Sequence, residues 1–414
     1  PVSGNLPYRL RLLLDGDDSQ LRIDSSLLGV NVDLPAPFGK TANQQSYADW
    51  RMTLTGAERR YWFDYADQIS LNLAAAADNI LGGRAQLHVG GGLARLPAQA
   101  GLQVRGRVNE FDLAAWQQLI QDYTLPEQGG SQLLTSAKLD IRRFTGFGLL
   151  ADNVSVDFRP QAQGWQLALD SEKVKGQIVE TGAGQPLQVH FAHLQLPKAK
   201  VVDSEQPEED ALADFDMRSI PALNIKIDAL YRGSEHLGAW SFNTRPQAQG
   251  VLFETLNLDL KGLHVTGQAG WGKVNGQVRS WYKGQLEGNN LSEVLLAWGF
   301  APTVTSKTFR VDADMRWNGS PAGLSLAKLS GDLGIKLNHG QLVTVDGSAQ
   351  ALRVFGLFNF DSIGRRLRLD FSDLLGKGMA YDRINGDIKV TKGVYRTQTP
   401  LVLEGPSSDF ELQG

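Results

Sequence analysis

Six residues, RPQAQG, occur twice in this chain, at 159–164 and again at 245–250, an offset of 245 − 159 = 86. The flanks keep the offset. Leu139 and Ile141 answer to Ile225 and Ile227, Val154 and Val156 to Trp240 and Phe242, and Val174, Lys175 and Gly176 to Leu260, Lys261 and Gly262. Around both copies apolar residues alternate with polar ones. A repeat of alternating strands means one supersecondary unit laid down again and again, which makes an elongated surface rather than a single pocket.

The same period-two pattern runs through the rest of the chain. Tyr8, Leu10 and Leu12 alternate with arginines, and Val30, Val32 and Leu34 with Asn31 and Asp33; KLDIR, VSVDF, LNIKID, TFRVDADMRW and RLRLDF follow. Gly and Pro turns separate these runs, which predicts on the order of two dozen strands. One apolar and one charged face suit an antiparallel sheet wetted on one side. An open sheet much beyond about ten strands must curl or split. The fold expected is therefore mostly β: a long, curled, repeating antiparallel sheet with a continuous apolar groove and a few short helices.

With 414 residues the chain exceeds one ordinary core. A net charge of −4 without a basic patch gives no case for nucleic acid. The absence of cysteine excludes disulfides, thiol catalysis and zinc–thiolate sites. The longest apolar stretch, residues 69–81, is broken by Asn72, Asp78 and Asn79, so nothing here spans a bilayer as a helix. The start lacks the order of a signal peptide, and both ends look strand-like, which reads as a segment of a longer protein.

Three helices are expected, at 112–121 with Asp112 as cap, at 290–298 with Asn290 and Glu293 as a capping box, and at 348–358. The first two follow matching strands: Gly106 and Leu113 map onto Gly284 and Leu291 at an offset of 284 − 106 = 178. Their stripes, about two turns long, are too short to stand alone and should brace or plug the sheet, with Trp298 in the packed stripe. The acidic stretch 203–216 reads as a solvated loop. Asp15 to Ser19 lacks the rest of a calcium loop and reads as a hairpin turn. Asp312 and Asp314 alternate with Val311, Ala313 and Met315 and form a wet strand face. His190 and His193 fall on opposite faces of a strand. The glycines at 90–92 read as a bend or bulge. No catalytic, cofactor or metal constellation stands out.

From about Leu324 onward the sequence resembles the C-terminal region of the YhdP-type AsmA-like family. A Gly-Gln-Leu strand leads through Asp346-Gly347 towards FDSI, RRLRLDFSDLLGKG, Ile384 and Gly393-Val394. Residues 219–271 are similar to the common AsmA-like repeat: a proline-led strand pair, an isolated glycine, and a strand ending in Gly-x-x-x-Trp.

The resemblance implies a non-enzymatic, cofactor-free protein of the Gram-negative periplasm. It would be anchored to the inner membrane by an N-terminal helix outside this segment and would carry phospholipid between inner and outer membranes. Its partners would be acyl chains, with membrane partners reached through parts of the chain outside this segment. Four segments are expected: 1–105 as β-groove repeat, 106–200 as helix plus β-groove repeat, 201–283 as acidic loop plus β-groove repeat, and 284–414 as the C-terminal β region with short helices.

By parity, the groove would be lined by Leu10, Leu12, Val30, Val32, Leu139, Ile141, Val154, Val156, Leu167, Val189, Phe191, Ile225, Ile227, Leu256, Leu258, Phe309, Val311, Met315, Ile335, Leu337, Leu367, Leu369 and Phe371. Lys226, Asp312 and Arg368 would face water. Alternation alone also fits a structural scaffold with its apolar faces closed on each other. An outer-membrane barrel fits less well, because its strands are longer and its aromatics lie in girdles.

Overall fold

A computed structural model of the protein describes residues 2–122, 133–146, 149–197, 210, 212–213, 215–342, 379–406 and 409–414. The chain divides into two compact units, Pro1–Gln185 with Phe191–Pro197, and Pro186–His190 with Lys198–Gly414.

The first unit contains β1 (Val2–Gly4), β2 (Arg9–Leu13), β3 (Gln20–Ser25), β4 (Val30–Val32), β5 (Ala48–Thr53), β6 (Glu58–Tyr65), β7 (Ile69–Ala76), β8 (Asn79–Val89) and β9 (Gly101–Asp112). Helix α1 (Leu113–Asp122) follows, then β10 (Leu134–Gly146), β11 (Leu149–Pro160), β12 (Trp165–Asp170) and β13 (Val174–Glu180). Strand β14 (Leu187–Leu196) is divided between the units. The second unit continues with β15 (Leu223–Arg232), β16 (Glu235–Gln247), β17 (Gly250–Leu260), β18 (Leu263–Val274), β19 (Gln277–Asn289), α2 (Leu291–Ala297), β20 (Val304–Asn318), β21 (Ser330–Leu342), β22 (Met379–Thr391), β23 (Val394–Thr397), β24 (Leu401–Glu404) and β25 (Asp409–Leu412).

Most strands pair with the next in sequence; β1 instead pairs with β4, β3 with β5, and β22 with both β23 and β24. In the first unit the order runs from β2 through β3 and β5 to β13. In the second it runs from β15 to β22, then β24 and β25, with β23 also on β22. Both RPQAQG copies are hairpins, β11–β12 and β16–β17; Gly164 supplies the positive φ of the first. The equivalence then drifts: Val174 opens β13 after a turn, whereas Leu260 closes β17 before one.

The sheet is not antiparallel throughout, because β8–β9 and β9–β10 are parallel. Parallel neighbours need a crossover. The first crossover, including the glycines at 90–92, returns along the polar side, where Ala94 N–H donates to Ser70 Oγ and Arg95 N–H to Gln86 Oε1. A Cβ at Gly90 would collide with the Arg107 carbonyl, so only glycine passes there. The second crossover carries α1. Asp112 caps it, accepting from the N–H groups of Ala114 and Ala115.

Helix α2 starts at the position expected from the 178-residue offset, but the capping box does not form. Asn290 sits at φ 54°, its side chain takes the Ser292 hydroxyl, and it makes no cap bond. Trp298 is 43% exposed with Lys261 Nζ 5.4 Å from its ring centroid, so it is not part of a packed stripe. Val294 alone of that helix is buried. The expected helix at 348–358 lies outside the described residues.

Candidate functional site: the apolar side of the sheet

Register fixes which side chains share a face. In the first unit one row crosses eleven strands: Leu10, Ile23, Trp50, Phe63, Leu71, Leu87, Val104, Ala137, Phe158, Leu167 and Ile178. Every member is apolar. At about 4.8 Å per strand the row is about 48 Å long. Leu10 is 53% exposed and the other ten are partly exposed, none of them sealed inside a core. The opposite face is charged and internally paired: Arg22 Nε lies 2.5 Å from Asp49, Arg51 3.4 Å from Asp64 and Lys138 3.4 Å from Asp157.

One rim of this apolar side is closed. Phe38, Val89, Val108, Ile141, Ala151 and Val154 form a buried cluster against which Trp116 of α1 packs. Trp116 stacks on Phe111 (5.8 Å, 9°) and meets Phe38 edge-on (5.9 Å, 70°). The covering segment 27–40 is tied down by the buried Lys40, whose ammonium donates to the carbonyls of Leu27, Val30 and Thr41. Tyr65 hydroxyl donates to the Phe38 carbonyl at 2.9 Å.

In the second unit the equivalent row is Ile227, Trp240, Leu258, Val265, Leu286, Val311 and Ile335, ending at Gly386. Trp240, Leu258, Leu286, Val311 and Ile335 are partly exposed, while Ile227 and Val265 are buried. Two segments cover one end of these strands. Met217 packs on Val251 and Trp271, and the partly exposed Phe215 stacks on Trp271 at 5.9 Å. Leu329 and Tyr395 close over Met315, Trp317 and Val390. Asp210 fastens the first segment to the loop before the second: its carboxylate accepts from Ser320 N–H at 2.7 Å and from the Ser320 hydroxyl, and Ser320 is fully buried. Burial of Asp210 would raise its pKa. The hydroxyl and N–H of Ser320, the Leu212 N–H and the Lys328 charge outweigh that and hold it below the ordinary value.

The expected lining residues distribute as follows. Leu10, Leu139, Val156 and Leu167 share the apolar side of the first unit, with Leu12 in its next row. Ile141 and Val154 are on that side at the closed rim and are buried. Val30 and Val32 sit in β4, which pairs with β1 rather than with the long sheet; buried Val30 belongs to the covering segment. Val189 and Phe191 on β14 are partly exposed. Ile225, Ile227, Leu256, Leu258, Phe309, Val311, Met315, Ile335 and Leu337 lie on the apolar side of the second unit, where Ile227, Leu256, Phe309 and Met315 are buried. Leu367, Leu369, Phe371 and Arg368 lie outside the described residues. Lys226 and Asp312 face the polar side, paired with Asp228 and Arg310.

Strict alternation misses part of the apolar side. Between Val108 and Phe111, and between Ile141 and Phe144, two consecutive residues turn outward, and Arg143 pairs with Glu110 there. The same step recurs 86 residues on, between Ile227 and Leu230, where the register with β16 shifts. Such a bulge reverses parity beyond it, so Phe111 and Phe144 join the apolar cluster. Among the described residues no group of three or more His, Asp or Glu side chains could hold a metal ion, and no helix is long and apolar enough to cross a membrane.

Each unit is thus a run of paired strands with an apolar row along one side. The sequence profile of the YhdP protein family matches residues 2–414. The chain belongs to the YhdP family. The intermembrane phospholipid transporter YhdP of Escherichia coli (strain K12) is 21% identical over 434 aligned positions, which take in 100% of this chain and 32% of that protein. The chain thus spans about a third of the length of that relative. No solved structure matches.

Proposed function

We propose that this YhdP-family chain is a segment of a conduit that carries phospholipid through the periplasm between the inner and outer membranes. Its apolar side would hold the acyl chains, while membrane anchoring and membrane partners fall to other parts of the protein. The observation that carries this reading is the eleven-strand apolar row of the first unit, which stays partly accessible along its length. A core would bury those side chains, whereas a path for a mobile apolar ligand must leave them reachable. The relative named as an intermembrane phospholipid transporter supports the choice of ligand.

Each CH₂ covered by the sheet contributes about 0.8 kcal/mol, so a sixteen-carbon chain gains about 12 kcal/mol as an upper bound. A local site of that depth would trap the lipid. Similar side chains in every strand keep the level nearly flat, so the chain can shift from strand to strand. A carboxylate placed in the row should raise a barrier of several kcal/mol, and each 1.4 kcal/mol slows passage about tenfold.

The test is Leu71→Asp, with lipid transfer between donor and acceptor vesicles and thermal melting measured together. On a partly exposed position the new carboxylate stays hydrated, so the protein should remain folded while transfer drops at least tenfold. Folded protein with undiminished transfer would remove the row from the path. A collapsed fold would instead identify the row as core.

A further inference from the structure

Arg59 is a cation on the apolar side of the first unit. It lies two residues before Tyr61 on β6, and their partners on β7 are Ala75 and Leu73, so Arg59, Tyr61 and Phe63 project on one side. A guanidinium in that position needs a partner, yet Arg59 makes no ion pair or side-chain hydrogen bond with any described residue. Its Nε is buried with no acceptor. Its neighbours differ: Arg84 pairs with Glu58 at 2.8 Å, and Arg51 with Asp49 and Asp64. Arg59 lies near the end of β6 opposite to Tyr65, whose hydroxyl donates to the Phe38 carbonyl at the sealed rim.

This arrangement gives the apolar side a direction. Tyr65 at the sealed rim lies six positions beyond Arg59, about 20 Å of extended strand. One leaflet of a bilayer has about 15 Å of hydrocarbon, half of the usual 30 Å core. A lipid with its polar end at Arg59 can lay its tails along Tyr61 and Phe63 and stop before the sealed rim. We propose that Arg59 binds the phosphate of a phospholipid and so fixes the open rim as the path of the head group. The proposal rests on the conduit reading. Arginine suits the role because its planar fork makes two charge-assisted bonds to phosphate oxygens and does not deprotonate.

The test compares wild type, Arg59→Gln and Arg59→Lys for uptake of phosphatidylglycerol and of diacylglycerol from neutral carrier vesicles, with inorganic phosphate as soluble competitor. Arg59→Gln should take up phosphatidylglycerol about tenfold more weakly, the scale of one lost charge-assisted contact. Its diacylglycerol uptake should be unchanged, Arg59→Lys should recover much of the loss, and millimolar inorganic phosphate should not displace the lipid. Equal phospholipid uptake by wild type and Arg59→Gln would overturn the assignment, as would an equal loss for both lipids, which marks a structural role. Displacement by inorganic phosphate would make the site one for free anions. A wild type that takes up neither lipid overturns the conduit itself, an outcome distinct from those that remove Arg59 alone.

Discussion

Asp210 and Ser320 lie 110 residues apart and hold two covering segments of the second unit together. Because the Asp210 pKa is held below its ordinary value, the bond contributes stability above the unfolded-state pKa of about 3.9 and loses it as pH falls through the lower folded value. Asp210→Asn should cost about 1–2 kcal/mol at pH 7, the modest end for a partly solvated carboxylate. Denaturant melts of the two proteins should show a constant gap between pH 7 and about 5 that narrows below about pH 4; a gap that widens in acid would contradict the assignment. Trp298 lies at the other extreme. Half-exposed, with one cation over its ring, it should lose no more than about 1 kcal/mol on Trp298→Ala in thermal melting. Neither fact was legible in the sequence. The Asp210 pair is non-local, and Trp298 is the residue that closes α2 after seven residues rather than a member of its packed stripe.

Among the elements, the hairpins and helix starts were readable because their causes are local. Gly164 closes a turn, Asp112 caps α1, and both helices follow strands that match at a fixed offset. The parallel strands β8, β9 and β10 were not readable, since Gly90 is demanded by the Arg107 carbonyl of a neighbour that no local pattern identifies. The paired outward residues in β9 and β10 likewise hide inside what alternation scores as a regular strand. The 27–40 segment depends on one side chain. Lys40→Met removes a buried ammonium and strands the carbonyls of Leu27, Val30 and Thr41, a cost of about 2–4 kcal/mol. Hydrogen exchange should show residues 27–41 opening ahead of the rest of the unit. Protection equal to wild type would mean that Phe38 packing alone holds the segment.

At the scale of the whole molecule, what the sequence determined was the two-faced strand, and what the structure adds is the register that joins the faces. Leu71 and Asn72 make the contrast sharp. They are adjacent on β7, and their cross-strand partners are Phe63 and Leu87 on one side, Trp62 and Gln86 on the other. Only Leu71 belongs to the eleven-strand apolar row. The central claim, that this row touches lipid, is tested most directly by placing a photo-crosslinking side chain at Leu71 and, separately, at Asn72 in otherwise unchanged protein and identifying what each captures. The account predicts phospholipid adducts from Leu71 and none from Asn72. Equal capture at the two positions, or no capture at Leu71, would contradict it.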